Sequence, residues 1–268
     1  MQFSIGFVLA LAITAAALRF RSLSRSGAIA AIALGTAIYG FGGWRSALIL
    51  LIFFFSSTAL GRWLQGFGRQ TEDIYAKGRE RDAGQVLGNG LTAGLLAAAT
   101  HFSPGAFWPW AAFAGAVAAV TADTWATEVG ALSAGPPRLI TRIRQRVPAG
   151  TSGGVSAEGL LAAGLGSLMI AAVAAFLRPE GGVQLALAVW TGGMLGSTVD
   201  SALGATVQAM YRCPSDNVLT EQHPSHRCGS QTYHVRGWPW MNNDRVNLAC
   251  SLVGALSACL IAGIAGAG

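Results

Sequence analysis

Two aspartates stand where carboxylates are expensive. Asp123 lies in Ala-Val-Thr-Ala-Asp-Thr-Trp-Ala-Thr-Glu, residues 119–128, and Asp200 in Gly-Ser-Thr-Val-Asp-Ser-Ala-Leu-Gly-Ala, residues 196–205. Neither has an Arg or Lys within a helical turn. An ionised carboxylate at membrane depth costs a few kcal/mol even on lenient scales, so it faces a partner, an ion or a polar cavity. One reading pairs these acids with an Arg of another segment, such as Arg81 or Arg245. The other gathers Asp123, Glu128, Asp200 and Asp244 around a hard divalent cation. Mg²⁺ takes oxygen ligands and is usually held by one or two carboxylates together with substrate phosphates. Arg forks match phosphate oxygens, which gives Arg81 a role beside such a cation.

A second candidate is the stretch Pro148-Ala149-Gly150-Thr151-Ser152-Gly153-Gly154-Val155-Ser156. Glycines permit backbone geometries that turn successive N–H groups toward one point, and a following helix adds its positive end. Gly150, Thr151, Ser152, Gly153, Gly154 and Ser156 are therefore read as an anion cradle, although no Walker sequence occurs. The plainer reading is a helix cap on a linker. Polar residues also recur at helical spacing: Asp200, Gly204 and Gln208; Asn243 with Asn247, beside Asp244; and Arg81, Asp82, Gln85 and Asn89. Amides and hydroxyls inside apolar segments, Ser201 included, point inward. Finally, Cys213, Asp216, His226 and Cys228 fall in one polar loop, residues 211–242. Four such ligands bind Zn²⁺ when they converge tetrahedrally, while a reduced, metal-free loop is the alternative.

The elements that must position these groups are membrane helices. The chain has 268 residues, of which 52% are apolar and only 11% charged, and its mean hydropathy is +0.48. Those values exclude a disordered chain. They point to one polytopic integral-membrane domain over residues 1–268: an all-α helix bundle of about eight spans, near 2–18, 27–44, 46–61, 86–100, 105–127, 157–177, 183–209 and 246–266. The fourth is short enough to be re-entrant. The net charge is +6, but the bases flank the spans and form no stripe, so nucleic acid is not an expected partner. Sixteen of the bases fall in loops after odd-numbered spans and two, Arg45 and Arg178, in the others. The positive-inside rule then makes the odd loops cytoplasmic and both termini non-cytoplasmic. With this topology Asp82, Asp123, Glu128, Asp200 and Asp244 all lie toward the cytoplasmic face. The 36 glycines suit close helix packing in lipid.

Taken together, Arg81-Asp82-x-x-Gln85-Val86-Leu87-x-Asn89-Gly90, Ala122-Asp123-Thr124-Trp125-Ala126-Thr127-Glu128-Val129-Gly130, Gly150-Thr151-Ser152-Gly153-Gly154-Val155-Ser156, Asp200-Ser201-x-x-Gly204-Ala205-x-x-Gln208 and Asn243-Asp244-x-x-Asn247 resemble the transmembrane protein 19 family. The resemblance runs from about residue 27 to 260. That family, also catalogued as a domain of unknown function, includes a plant phytyl-phosphate kinase. It makes an isoprenoid diphosphate from the monophosphate with a nucleoside triphosphate as donor. Family members often carry a fuller Cys/His set in the loop before the last span, and Asp216 stands where a second Cys is expected.

The resemblance and the residues together lead to an expected function. It is a multi-pass integral-membrane kinase, in the plasma membrane if the source is bacterial, phosphorylating a polyprenyl-type monophosphate. Asp123 and Asp200 would hold Mg²⁺, assisted by Glu128 or Asp244. Arg81 and the amides of 150–154 would hold donor phosphates, and the lipid bilayer would take the prenyl tail. Phosphoryl transfer needs mainly alignment and charge neutralisation, and a phosphate nucleophile needs no strong base. The alternative is a transporter for an ion or small anionic solute that uses the same acids as a relay.

Overall fold

The computed structural model describes residues 1–65, 80–103 and 105–266. The loop charges Arg69, Glu72, Asp73, Lys77 and Arg79 lie outside the described residues. Among the described residues, seven α-helices carry the fold: α1 (Gln2–Arg19), α2 (Arg25–Gln65), α3 (Ala83–Phe102), α4 (Trp108–Gly130), α5 (Ala157–Leu177), α6 (Gly182–Thr206) and α7 (Asn243–Gly266). By length and composition, four of them qualify as membrane spans: Gln2–Arg19, Arg25–Leu64, Ala157–Leu177 and Asn243–Ile264. Helices α3, α4 and α6 do not meet that measure.

One of the four is doubled. A continuous helix of the 41 residues of α2 would run about 60 Å. Yet Arg62, near its end, donates to Ser22 Oγ at 2.7 Å and to the Phe20 carbonyl, just ahead of its start. The chain therefore folds back on itself. The reversal falls at Gly43, whose φ of 70° and ψ of −169° only glycine adopts without strain. The two arms occupy the stretches that hydropathy assigns to the second and third spans.

Helix α4 is the axis. It packs against α2, α3, α5, α6 and α7, and every residue from Pro109 to Ala122 is buried. Trp110, Phe113, Val117 and Val120 meet Ile38 and Ile49 of α2, Ile170 of α5, and Leu185 and Val189 of α6. Small residues set the approach: a Cβ on Gly254 of α7 would lie 2.6 Å from the Gly115 carbonyl of α4. In lipid, where burial of apolar surface drives association weakly, such close backbone contact supplies the packing energy. The outward faces are apolar, with Leu161, Leu165 and Phe176 of α5 and Leu256, Leu260 and Ile264 of α7 exposed, as a bilayer-facing surface requires.

Hydropathy alone does not reveal two small sheets in the polar loops. Strands β1 (Arg138–Leu139), β2 (Arg142–Arg146) and β3 (Gly154–Val155) form one, ordered β2-β1-β3, antiparallel throughout. Strands β4 (Met210–Arg212), β5 (Leu219–Thr220) and β6 (Tyr233–Arg236) form the other, ordered β5-β4-β6. Both sit at the end of the bundle where α4 and α6 finish and α3, α5 and α7 begin, and together they frame the site.

Candidate functional site

At that end lies a cavity of about 1380 Å³. Its floor is set by the point where α4 leaves the packed interior: Ala122 is buried, and Asp123, the next residue, is half-buried on the cavity wall. Asp200 reaches the same wall from α6, and the two carboxyl groups are within hydrogen-bonding contact. The charges acting on the pair come from each other and from Glu221, all negative. Asp200 Oδ2 is buried and has no hydrogen-bond partner among the described residues. An ion pair with Arg81 or Arg245 is thus not what accommodates these acids. Two adjacent carboxyls with an unspent, buried oxygen and hard-donor chemistry fit a divalent cation such as Mg²⁺.

Arg81 has a different partner. Its guanidinium lies over Phe53 and Phe54 of α2, 5.4 and 5.6 Å from the ring centroids. Burial pushes its pKa down and the Glu128 carboxylate pulls it back up. Glu128 itself abuts α2, where a Cβ on Gly61 would lie 3.2 Å from its carboxyl carbon. Both residues line the cavity, and Glu128 acts as the counter-charge of Arg81.

The glycine-rich loop is pinned against α6. Gly153 has φ of 82°, and a Cβ there would lie 2.4 Å from Ala205 Cβ. Turns take up part of the loop's hydrogen-bonding capacity: Thr151 N–H donates to Pro148 and Gly154 N–H to Thr151, while Thr151 Oγ1 donates to the Pro148 carbonyl at 2.7 Å. Ser152 and Gly153 both line the cavity. Ser156 is chiefly a helix cap. It accepts from Gly159 N–H at 3.1 Å and shares a hydrogen bond with Ser133 Oγ at 2.7 Å. Gly150 and Gly154 complete the cavity wall.

Of the remaining polar residues read from sequence, Gln85, Asn89, Ser201, Asn243, Asp244 and Asn247 line the same cavity. Asp82 is not among its lining residues. It caps α3 instead: Gln85 N–H donates to Asp82 Oδ1 at 3.0 Å and Asp82 N–H to Gln85 Oε1 at 3.2 Å, a reciprocal capping box. Gln208 is in the cavity, but not by helical stacking on Asp200 and Gly204. Helix α6 ends at Thr206, two residues before it. Gln208 Nε2 is instead held by Glu221 Oε1 at 2.7 Å.

Glu221 is the residue that sequence reasoning missed. It follows β5, and Oε1 also accepts from Ser152 Oγ at 2.8 Å, tying the glycine-rich loop, the end of α6 and the second sheet together. Arg236 of β6 stands beside it, donating to the carbonyls of Ala205 and Gly204. There it satisfies the last turn of α6, where cationic side chains are favoured. Burial lowers its pKa and Glu221 raises it. Nothing in the spacing marks either residue, because each gains its role only from contacts across the fold.

The expected zinc ligands do converge. The ligand atoms of Cys213, Asp216, His226 and Cys228 all lie within 4.8 Å of one another. Hydrogen bonds from Cys228, then Cys213 and His226, hold the Asp216 carboxyl below its ordinary pKa, and those from Ser230 and His226 pull the Cys228 thiol down. This cluster is separate from the cavity lining. Later in the same polar loop Trp238 stacks on Trp240, their centroids 5.3 Å apart, with Arg245 over Trp240.

Comparison with known proteins gives a consistent result. The model of the family described as integral membrane protein DUF92 matches residues 8–255. A protein of Arabidopsis thaliana named Protein PGR is 29% identical over 260 residues, covering 87% of this chain and 86% of its own. An uncharacterized membrane protein of Synechocystis sp. is 30% identical over 228 residues, covering 84% and 77%. One of Methanocaldococcus jannaschii is 29% identical over 242 residues, covering 90% and 86%. No solved structure matches. The chain is therefore a multi-pass membrane protein that belongs to the DUF92 integral membrane family.

Proposed function

We propose that this protein is an integral-membrane kinase that transfers a phosphoryl group from a nucleoside triphosphate to a polyprenyl-type monophosphate. The observation that carries the reading is the Asp123–Asp200 pair, which has no positive partner among the described residues and lies in a cavity whose walls also hold Arg81 and the glycine-rich loop. Mg²⁺ would be held by Asp123 and Asp200, with Glu221 and Asp244 nearby, and would neutralise phosphate charge in the transition state. Arg81 and the N–H groups of Ser152 and Gly153 bind the donor phosphates. The acceptor monophosphate is ionised at neutral pH, so its oxygen attacks the γ-phosphorus without a general base. One P–O bond forms, the bond from γ-phosphorus to the β-bridging oxygen breaks, and the nucleoside diphosphate leaves.

The same cavity has an apolar side, formed by Leu160 and Ala163 of α5 and Met194 of α6, which gives a prenyl tail a route toward lipid. The charge distribution along the chain favours the cytoplasmic side for this end, where nucleotide is available. The eight-segment topology belongs to the same proposal, with α2 crossing twice. Among the described residues, α4 is buried without interruption from Pro109 to Ala122, which speaks for a one-sided enzyme over a transporter.

The test is purified protein in detergent with γ-labelled nucleoside triphosphate and a panel of prenyl monophosphates of increasing chain length, with and without Mg²⁺. Mg²⁺-dependent transfer of label to a lipid diphosphate is expected. Absence of transfer to every acceptor, from folded protein and with each nucleotide, overturns the reading.

A further inference from the structure

We propose that Cys213, Asp216, His226 and Cys228 bind one Zn²⁺ and that this centre fixes the loop that carries Glu221 into the cavity. The first half stands on the geometry of the four side chains. Cys213 Sγ and Cys228 Sγ are 3.4 Å apart, His226 Nδ1 and Cys228 Sγ 3.4 Å, and Cys213 Sγ and Asp216 Oδ2 3.7 Å. A tetrahedral zinc site with bonds of about 2.0–2.3 Å has edges of roughly 3.3–3.8 Å. These three edges already have that length. The remaining short edge, His226 Nδ1 to Asp216 Oδ2 at 2.9 Å, is a hydrogen bond that a cation would open slightly. Two thiols, an imidazole and a carboxylate suit Zn²⁺ better than the oxygen-seeking Mg²⁺ or Ca²⁺. Both thiols are free. Cys213 and His226 are buried while Asp216 and Cys228 are exposed, so the metal has a way in.

The second half stands on where the ligands sit in the chain. Cys213 and Asp216 belong to the turn that joins β4 to β5, registered by Cys213 N–H on the Val218 carbonyl. His226 and Cys228 belong to a second turn, closed by His226 N–H on Ser230 and Gly229 N–H on His226. Glu221 lies between the two turns, directly after β5. A loop of this size has too little apolar core to order itself, and small units of that kind commonly rely on a metal for it. With the two turns clamped together, Glu221 is held where Ser152 and Gln208 reach it. This half rests on the reading of Asp123 and Asp200 as a divalent-cation site.

The experiment uses the full chain, purified in detergent without chelator. Elemental analysis should find about one zinc per chain, and exchange with Co²⁺ should give the d–d and thiolate charge-transfer absorption of a tetrahedral thiolate site. Cys213→Ser with Cys228→Ser should abolish both signals, and Asp216→Cys should retain zinc against higher chelator concentrations. Should the double variant not fold, the wild-type Co²⁺ spectrum still decides. Zinc near zero with no Co²⁺ charge-transfer band, or a Cys213–Cys228 disulfide in freshly isolated protein, overturns the centre. For the link to Glu221, protein stripped of zinc and freed of chelator should be cut by trypsin after Arg227 at least tenfold faster. It should also bind Mn²⁺, read by its electron paramagnetic resonance, about tenfold more weakly. Unchanged Mn²⁺ affinity in stripped protein overturns the link. Failure of zinc-loaded protein to bind Mn²⁺ overturns the dicarboxylate site and the link together, and leaves the zinc centre to its own measurements.

Discussion

Helix α4 carries two acids five residues apart, and the fold treats them in opposite ways. Glu128 is set beside the buried guanidinium of Arg81, so its charge is balanced by the protein. Asp123 is set beside a second carboxyl, with a third negative group close by and no basic side chain among the described residues to balance it. Burying a charge without a partner is among the costliest things a fold can do, and an ion pair is the ordinary remedy. On the proposed reading, the acid that receives the remedy is structural and the acid without one is a ligand site. The comparison also explains why the polar end of α4 follows directly on fourteen buried residues. The packed stretch fixes the height and rotation at which Asp123 meets Asp200.

The largest expected effect tests the unbalanced acid. Asp200→Asn or Asp123→Asn keeps size and hydrogen bonding but removes an acid that no basic side chain among the described residues neutralises. Mg²⁺-dependent transfer should fall by about 10³-fold or more, since metal-assisted charge neutralisation is worth several kcal/mol. Thermal stability in detergent should hold or rise, because neutral Asn is cheaper to keep in that setting. Loss of stability with turnover per folded molecule intact would mean the pair is structural. The balanced acid should respond the other way round. Glu128→Gln strands Arg81, and stability should drop by an amount approaching the roughly 3–5 kcal/mol seen when one partner of a buried pair is removed, read as a lowered melting temperature. A variant as stable as the parent would dissolve the contrast between the two acids.

How far the sequence shows this divides along the same line. The carboxylates were legible because their cost is local: an acid with no base within a turn, inside an apolar run, needs an explanation wherever it packs. The helices were legible for a similar reason, and even the reversal inside α2 falls where the second and third apolar runs meet. The residues that tie the site together were not. Glu221 and Arg236 sit in a polar loop among many polar neighbours, and only tertiary contact with Ser152, Gln208 and the end of α6 gives them meaning. Gln208 was found by a wrong route, since a spacing of four carried past Thr206 extends a helix that has already ended. Asp82 shows the reverse error. Its Asp-x-x-Gln pattern is a capping signature that can be read directly, and the capping box takes it out of the cavity. The alternation in Arg-Ile-Arg-Gln-Arg of β2 was a strand signal overlooked because charge dominated it.

A smaller effect probes the loop opposite the acids. Gly153→Ala places a Cβ at φ of 82° and 2.4 Å from Ala205 Cβ. The left-handed conformation costs about 1–2 kcal/mol for a residue with a side chain, and the contact forces the loop off α6. The amides of Ser152 and Gly153 then lose their aim. The KM for the nucleotide should rise about tenfold, equivalent to about 1.4 kcal/mol, with kcat changed less. A KM within twofold of the parent would remove the loop from the donor site and leave Arg81 alone on that side.

The smallest effect separates capping from phosphate binding within the same loop. Ser156 closes the run of glycines and hydroxyls, and by sequence it belongs to the anion cradle as much as Ser152 does. Its hydroxyl is already engaged, accepting from Gly159 N–H and sharing a hydrogen bond with Ser133, so little of it is left for a ligand. Ser156→Ala should therefore cost what a lost N-cap costs, about 1 kcal/mol, or a melting shift of about 2–4 °C for a chain of this size. The nucleotide KM should stay where it was. Ser152→Ala makes the matched control: its hydroxyl holds Glu221 rather than a helix end, so it should weaken Mn²⁺ binding and leave the melting temperature nearly unchanged. If Ser156→Ala instead raises KM tenfold with no loss of stability, the cradle extends to the mouth of α5, and the positive end of that helix has to be counted among the groups that bind phosphate.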